Sequence, residues 1–182
     1  KDYKVDVDAL LERVSEKTRM VIVANPNNPT GTYISESEIR RLHAGLPENV
    51  LLLVDDAYAE YVSTEDYKTA LEMVDQYDNV VVTRTFSKIY GLAGLRIGWA
   101  YSPQSVLENI QRIRTPFNAN SAAMAAATAA VKDIEYIAMV REHTARWQKI
   151  IAERVTAMGI KILPSVTNFY LLDFGELPGK SG

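Results

Sequence analysis

The sequence predicts an α/β fold, a mostly parallel (mixed) sheet flanked by helices, and three observations predict it. Short β-branched runs alternate with amphipathic stretches, the pattern of successive strand–helix–strand units. Three of the runs are almost continuously apolar, among them Leu51-Leu52-Leu53-Val54 and Val80-Val81-Val82, as suits strands covered on both faces. Polar and glycine-containing segments follow the strands directly, at the end where open α/β sheets bind ligands.

Taken in order, strands are expected at 20–24, 50–54, 80–83, 96–100 and 168–172, and helices at 6–16, 36–44, 104–113, 121–131 and 134–158. Ser35-Glu36-Ser37-Glu38 reads as a capping box that starts the second helix. Gly159 is placed to close the last helix. Pro164-Ser165 then divides two short strands. The chain is therefore expected to hold a large domain over 1–158 and the start of a smaller α/β unit over 159–182.

With 182 residues, 47% of them hydrophobic and 24% charged, the chain can bury a core without disulfides or metals. It has no cysteine, which fits a reducing compartment, and a cytoplasmic location is expected. A net charge of -3 offers no global positive field to attract nucleic acid. No apolar run approaches the roughly 20 residues that span a bilayer, and Lys-Asp-Tyr-Lys-Val-Asp at the start has no apolar leader core. The chain does not begin with methionine and stops abruptly at Gly179-Lys180-Ser181-Gly182, so it is expected to be a piece of a longer protein.

Several chemistries lack their residues. A zinc site needs clustered His, Cys or carboxylate ligands, but the two histidines, His43 and His143, fall far apart on different helices. They are expected to be surface or packing residues, and no metal is expected. There is no Gly-x-Ser-x-Gly elbow, no Gly-x-x-x-x-Gly-Lys-[Ser/Thr] loop and no Gly-x-Gly-x-x-Gly after a strand.

Four segments after the strands remain. In Asn25-Pro26-Asn27-Asn28-Pro29-Thr30-Gly31 the residue types are those of a tight loop, yet two prolines would also hold Asn28 rigidly as a donor. Asp55-Asp56-Ala57-Tyr58 puts acids at a strand end, where they serve as caps or turn formers. A carboxylate beside a buried strand otherwise needs a partner, such as a protonated heterocycle nitrogen. Thr83-Arg84-Thr85-Phe86-Ser87-Lys88 carries a lysine among hydroxyls, either a solvated side chain or a Schiff-base nucleophile. In Gly91-Leu92-Ala93-Gly94-Leu95-Arg96, Arg96 is either a sheet-edge residue or a two-pronged phosphate donor.

These four segments, in this order, resemble the fold-type I aminotransferases that use pyridoxal 5′-phosphate (PLP), and the match runs over essentially the whole chain. Within that superfamily the sequence is most similar to the histidinol-phosphate aminotransferases. The pointers are Phe86-Ser87-Lys88-Ile89-Tyr90-Gly91-Leu92-Ala93-Gly94-Leu95-Arg96-Ile97-Gly98 and Arg114-Thr115-Pro116-Phe117-Asn118-Ala119-Asn120. The resemblance implies a PLP-transferase large domain and transfer of an amino group between histidinol phosphate and 2-oxoglutarate, a step of histidine biosynthesis. It implies roles as well. Lys88 matches the lysine that carries PLP as a Schiff base and moves the substrate proton. Asp55 matches the partner of the ring nitrogen, and Tyr58 and Asn28 the two residues bonded to the ring oxygen. Thr85, Ser87 and Arg96 match positions around the phosphate, and Asn168 an asparagine at the substrate end. A homodimer is implied too, with the site built across its interface.

Aromatic aminotransferases and threonine-phosphate decarboxylases share most of these motifs, and a non-catalytic effector-sensing domain of a regulator uses the same fold. A soluble α/β binding module unrelated to these stays a further alternative. Family members also carry an N-terminal loop for the phosphate, a tyrosine that reaches the partner's site, and a C-terminal arginine for the substrate carboxylate. This chain supplies none of them, so alone it is expected to bind PLP weakly and to lack useful transaminase activity.

Overall fold

The computed structural model describes residues 2–175 of the 182, so the Gly179–Gly182 end lies outside the described residues. Four strands, β1 (Met20–Ala24), β2 (Leu51–Asp55), β3 (Val80–Thr85) and β4 (Gly98–Tyr101), form one sheet in the order β1-β2-β3-β4. The first three run parallel, and β4 pairs antiparallel with β3, so the sheet is mixed. α1 (Val7–Glu12) precedes β1, and two helices join the parallel strands: α2 (Glu36–Ala44) between β1 and β2 and the short α3 (Leu71–Val74) between β2 and β3. After β4 come α4 (Gln104–Ile113), α5 (Ser121–Ala130) and α6 (Ile134–Ala157), then β5 (Lys161–Ile162) paired antiparallel with β6 (Leu172–Asp173).

Strand alternation explains where the core sits. In register, Val21 and Val23 stand beside Leu52 and Val54, which stand beside Val80 and Val82, all on one face. That face packs against Val7, Ile39, Leu42 and Met73 from the three helices to make one buried cluster. On the opposite face of β1, Met20 is 46% and Ile22 64% exposed, unusual for a strand of a parallel sheet. No helix among the described residues is long and apolar enough to cross a membrane.

Several boundaries differ from the sequence reading, each for a local reason. The helix expected over 6–16 is only Val7–Glu12: Asp6 caps it through the Ala9 N–H at 3.0 Å, and Ser15 and Thr18 bond each other's backbone and hydroxyl just beyond it. The capping box is half made: Ser35 accepts the Glu38 N–H at 3.4 Å, but the Glu38 carboxylate turns to Arg41 instead of reaching back. The strand expected at 96–100 begins at Gly98 because Arg96 adopts a left-handed conformation, φ 52° and ψ 59°. The strand expected at 168–172 shrinks to Leu172–Asp173, since the Thr167 N–H bonds the Ser165 hydroxyl at 3.1 Å in a local turn. α3 was not anticipated, because four residues carry no readable periodicity. α6 ends as expected at Gly159, φ +76°. The Gly159 N–H bonds the Thr156 carbonyl at 2.9 Å and the Ile160 N–H the Val155 carbonyl at 3.2 Å.

Candidate functional site at the carboxyl ends of the strands

The site grows from the ends of β1, β2 and β3, which backbone bonds tie together: the Asn25 N–H donates to the Asp55 carbonyl and the Asp56 N–H to that of Thr83, both at 3.0 Å. Asp55 closes β2 half-buried, and the Thr83 hydroxyl donates to its Oδ1 at 3.2 Å. Tyr58, three residues on, is only 6% exposed. Its hydroxyl accepts the Asn28 side-chain N–H at 3.3 Å, which leaves the phenolic proton free to donate elsewhere. The Lys88 amine lies 5.1 Å from the centroid of the same ring. Amide, phenol and lysine therefore meet from three loops, with the Asp55 carboxylate three residues before Tyr58 at the end of β2, although Asn28 itself is exposed.

The loop after β3 arranges the hydroxyls. Thr85 Oγ1 accepts the Ser87 N–H at 3.0 Å, and Arg96 donates to the Ser87 hydroxyl at 3.2 Å and to the Ala93 carbonyl at 2.8 Å. The left-handed Arg96 backbone turns the chain so that its guanidinium returns over this loop. Asn168 arrives from the far end of the sequence. Gly31, φ +71°, packs so closely on Ser165 that a Cβ there would lie 2.2 Å from its hydroxyl, and the Val166 N–H bonds the Gly31 carbonyl at 2.9 Å. This contact carries Phe169 onto Tyr58, edge-to-face with ring centroids 5.1 Å apart, and leaves Asn168 exposed beside it.

Sequence reasoning passed over three groups next to this constellation. Thr83 fixes Asp55, and Phe169 packs on Tyr58; strand alternation, which puts Thr83 on the face of Thr85, was the available signal for the first. The third is a buried charged cluster. Asp56 is fully buried, neither of its oxygens makes a hydrogen bond, and Arg84 Nε stands 3.8 Å away. Burial pushes the Asp56 carboxyl up to about 7, against the pull of the nearby Arg84 guanidinium. His43 packs on Tyr77 with ring centroids 4.0 Å apart and bonds Asn79 at 2.8 Å, while His143 lies near Trp147. Among the described residues no His, Cys, Asp and Glu side chains cluster for a metal ion. A cleft of about 950 Å3 lies between Tyr3, Lys4, Gly31 and the Lys161–Val166 stretch, and none of the predicted site residues lines it.

The arrangement matches known proteins. The family model of the class I and II aminotransferases matches residues 1–178. A histidinol-phosphate aminotransferase of Nitrobacter winogradskyi is 51% identical over 98% of this chain and 49% of its own length; one from Maricaulis maris is 49% identical over 100% and 50%. The crystal structure of the Sinorhizobium meliloti histidinol-phosphate aminotransferase, in complex with pyridoxal 5′-phosphate, superposes with a TM-score of 0.90 at 35% identity. It covers 97% of this chain and 48% of that one. The chain thus spans about half the length of the curated relatives it matches. With the family model covering residues 1–178 of the 182, this chain belongs to the class I and II aminotransferases.

Proposed function

We propose that this chain is the cofactor-binding half of a PLP-dependent aminotransferase that moves an amino group between histidinol phosphate and 2-oxoglutarate. The observation that carries this reading is the Asn28–Tyr58 hydrogen bond with the Lys88 amine over the same ring. The donor set suits PLP: a carboxylate for its ring nitrogen, a phenol and an amide for its ring oxygen, hydroxyls with a guanidinium for its phosphate, and an amine for its aldehyde. When bound, PLP supplies the electron sink that makes the substrate's α-proton removable.

The chain's own residues do the rest. Asp55, which accepts the Thr83 hydroxyl, would face the ring nitrogen and favour its protonated form. Tyr58 and Asn28 would donate to the ring oxygen. Lys88 would anchor the cofactor through its amine and would serve as the general base for the substrate's α-proton. Thr85, Ser87 and Arg96 would hold the phosphate, which would keep the reacting plane in orientation. Asn168 lies toward the substrate. Residues 1–158 act as the large domain and 159–182 as the start of the small one. A cytoplasmic homodimer fits the absence of cysteine and the family's two-fold sites.

Borohydride reduction in the presence of PLP should fix the cofactor on Lys88, and Lys88→Ala should abolish both the labelling and the yellow colour. Product analysis of the natural full-length protein with histidinol phosphate and with threonine phosphate decides the substrate. Carbon dioxide release from the second would replace this reading with a decarboxylase.

A further inference from the structure

The segments that carry the site residues also carry, interleaved with them, a buried charged cluster. Asp55 and Tyr58 alternate with Asp56 and Glu60, Thr83 and Thr85 flank Arg84, and Lys88 is followed by Tyr90. The Arg84 side chain is 9% exposed and pairs through Nη1 with Glu60, 12% exposed, while its Nε faces Asp56 at 3.8 Å. The Tyr90 hydroxyl donates to the same Glu60 oxygen at 3.4 Å. From α6, Arg141 donates to the Glu60 backbone carbonyl, and the Arg84 guanidinium sits 5.7 Å from the centroid of the Trp99 ring on β4.

A cluster of this kind contributes little net stability, because apolar residues of the same volume pack there as well or better. Its distinctive property is geometric. One planar group joins the end of β3 to the turn after β2, Glu60 passes the link on to Tyr90 after Lys88, and each of these segments presents a residue of the site. A shift of Glu60 carries Tyr58 with it, a shift of Asp56 carries Asp55, and Arg84 itself lies between Thr83, which bonds Asp55, and Thr85, which bonds the Ser87 N–H.

We propose that Arg84, held between Asp56 and Glu60, is a positioning residue for the cofactor end of the site, fixing the Asp55–Tyr58 turn against the Thr85–Lys88 loop. The inference rests on the PLP reading above. It also requires arginine rather than lysine, since two different nitrogens of one rigid plane face two carboxylates, and an ammonium is a single point charge on a flexible stem.

The test uses the natural full-length protein and three measurements: PLP dissociation constant, the pH midpoint at which the visible band of bound PLP changes, and the melting curve. Arg84→Lys and Arg84→Gln should still melt cooperatively, bind PLP on the order of 10- to 100-fold more weakly, and shift the midpoint. Leu52→Ala, a core variant remote from the cluster, should lose stability and keep both PLP readouts. If Arg84→Gln does not fold, Glu60→Gln, which preserves the side-chain shape, decides on the same readouts. Unchanged affinity and midpoint in a folded Arg84→Lys, or equal shifts in Leu52→Ala, overturn the proposal. Wild-type protein that takes up no PLP refutes the reading of the site itself, and is a different outcome.

Discussion

Asp56→Asn isolates one buried proton. In the folded protein Asp56 keeps its proton up to about pH 7, whereas its ordinary value is 3.8. Between those limits the folded state binds one more proton than the unfolded state, so stability falls as pH rises. The contribution is fully present below pH 4 and is lost as pH climbs through 7. Three pH units at 1.36 kcal/mol each give a loss of about 4 kcal/mol as an upper limit. Asparagine has the same shape and cannot titrate. The stability of Asp56→Asn relative to wild type should therefore rise by up to that amount between pH 4 and pH 8, measured by urea denaturation at fixed ionic strength. Glu36, Glu38 and Asp173 are held low by Arg40, Arg41 and the Gly175 N–H, and they weaken the fold as pH falls. They are identical in both proteins, so they cancel in the difference. A difference that stays flat across this range would refute the argument that burial outweighs Arg84 at this carboxyl.

Gly31→Ala meets both a left-handed backbone and the Ser165 hydroxyl, so it should destabilise the protein by roughly 1–3 kcal/mol and loosen the 165–169 segment. Thermal melts and proteolysis near that segment check this. A polypeptide of these 182 residues alone should bind a hydrophobic dye such as ANS and self-associate. Ile22, Ile113 and Phe117 are 64%, 82% and 97% exposed; dye fluorescence and light scattering read it out.

The parts of the fold that were legible in the sequence are those with strong local signals. Continuous apolar runs marked β1 to β3, and a well-patterned amphipathic stretch marked α4 at its observed ends. The candidate site residues were legible as motifs, because Asn28, Asp55, Tyr58 and Lys88 each stand just past a readable strand. What local reading missed depends on partners distant in the chain. The 168–172 strand gave way to a hydroxyl turn whose shape is set by packing against Gly31, and no periodicity signals that contact. Asp56, Glu60 and Arg84 look individually like solvated charges. Only the pairing of β2 with β3 shows that they meet in the interior.

The sheet order has a consequence for how the molecule is made. Each strand pairs with the one synthesised before it: Met20 with Leu51, Leu52 with Val80, Val82 with Tyr101. A chain emerging from the ribosome therefore offers β2, β3 and β4 each a neighbour already made. The candidate site residues follow in the same order along the chain, from the Asn28 loop through the Asp55 turn to Lys88 and Arg96. The segment that leads to Asn168 is drawn back onto Gly31 by the Val166 N–H.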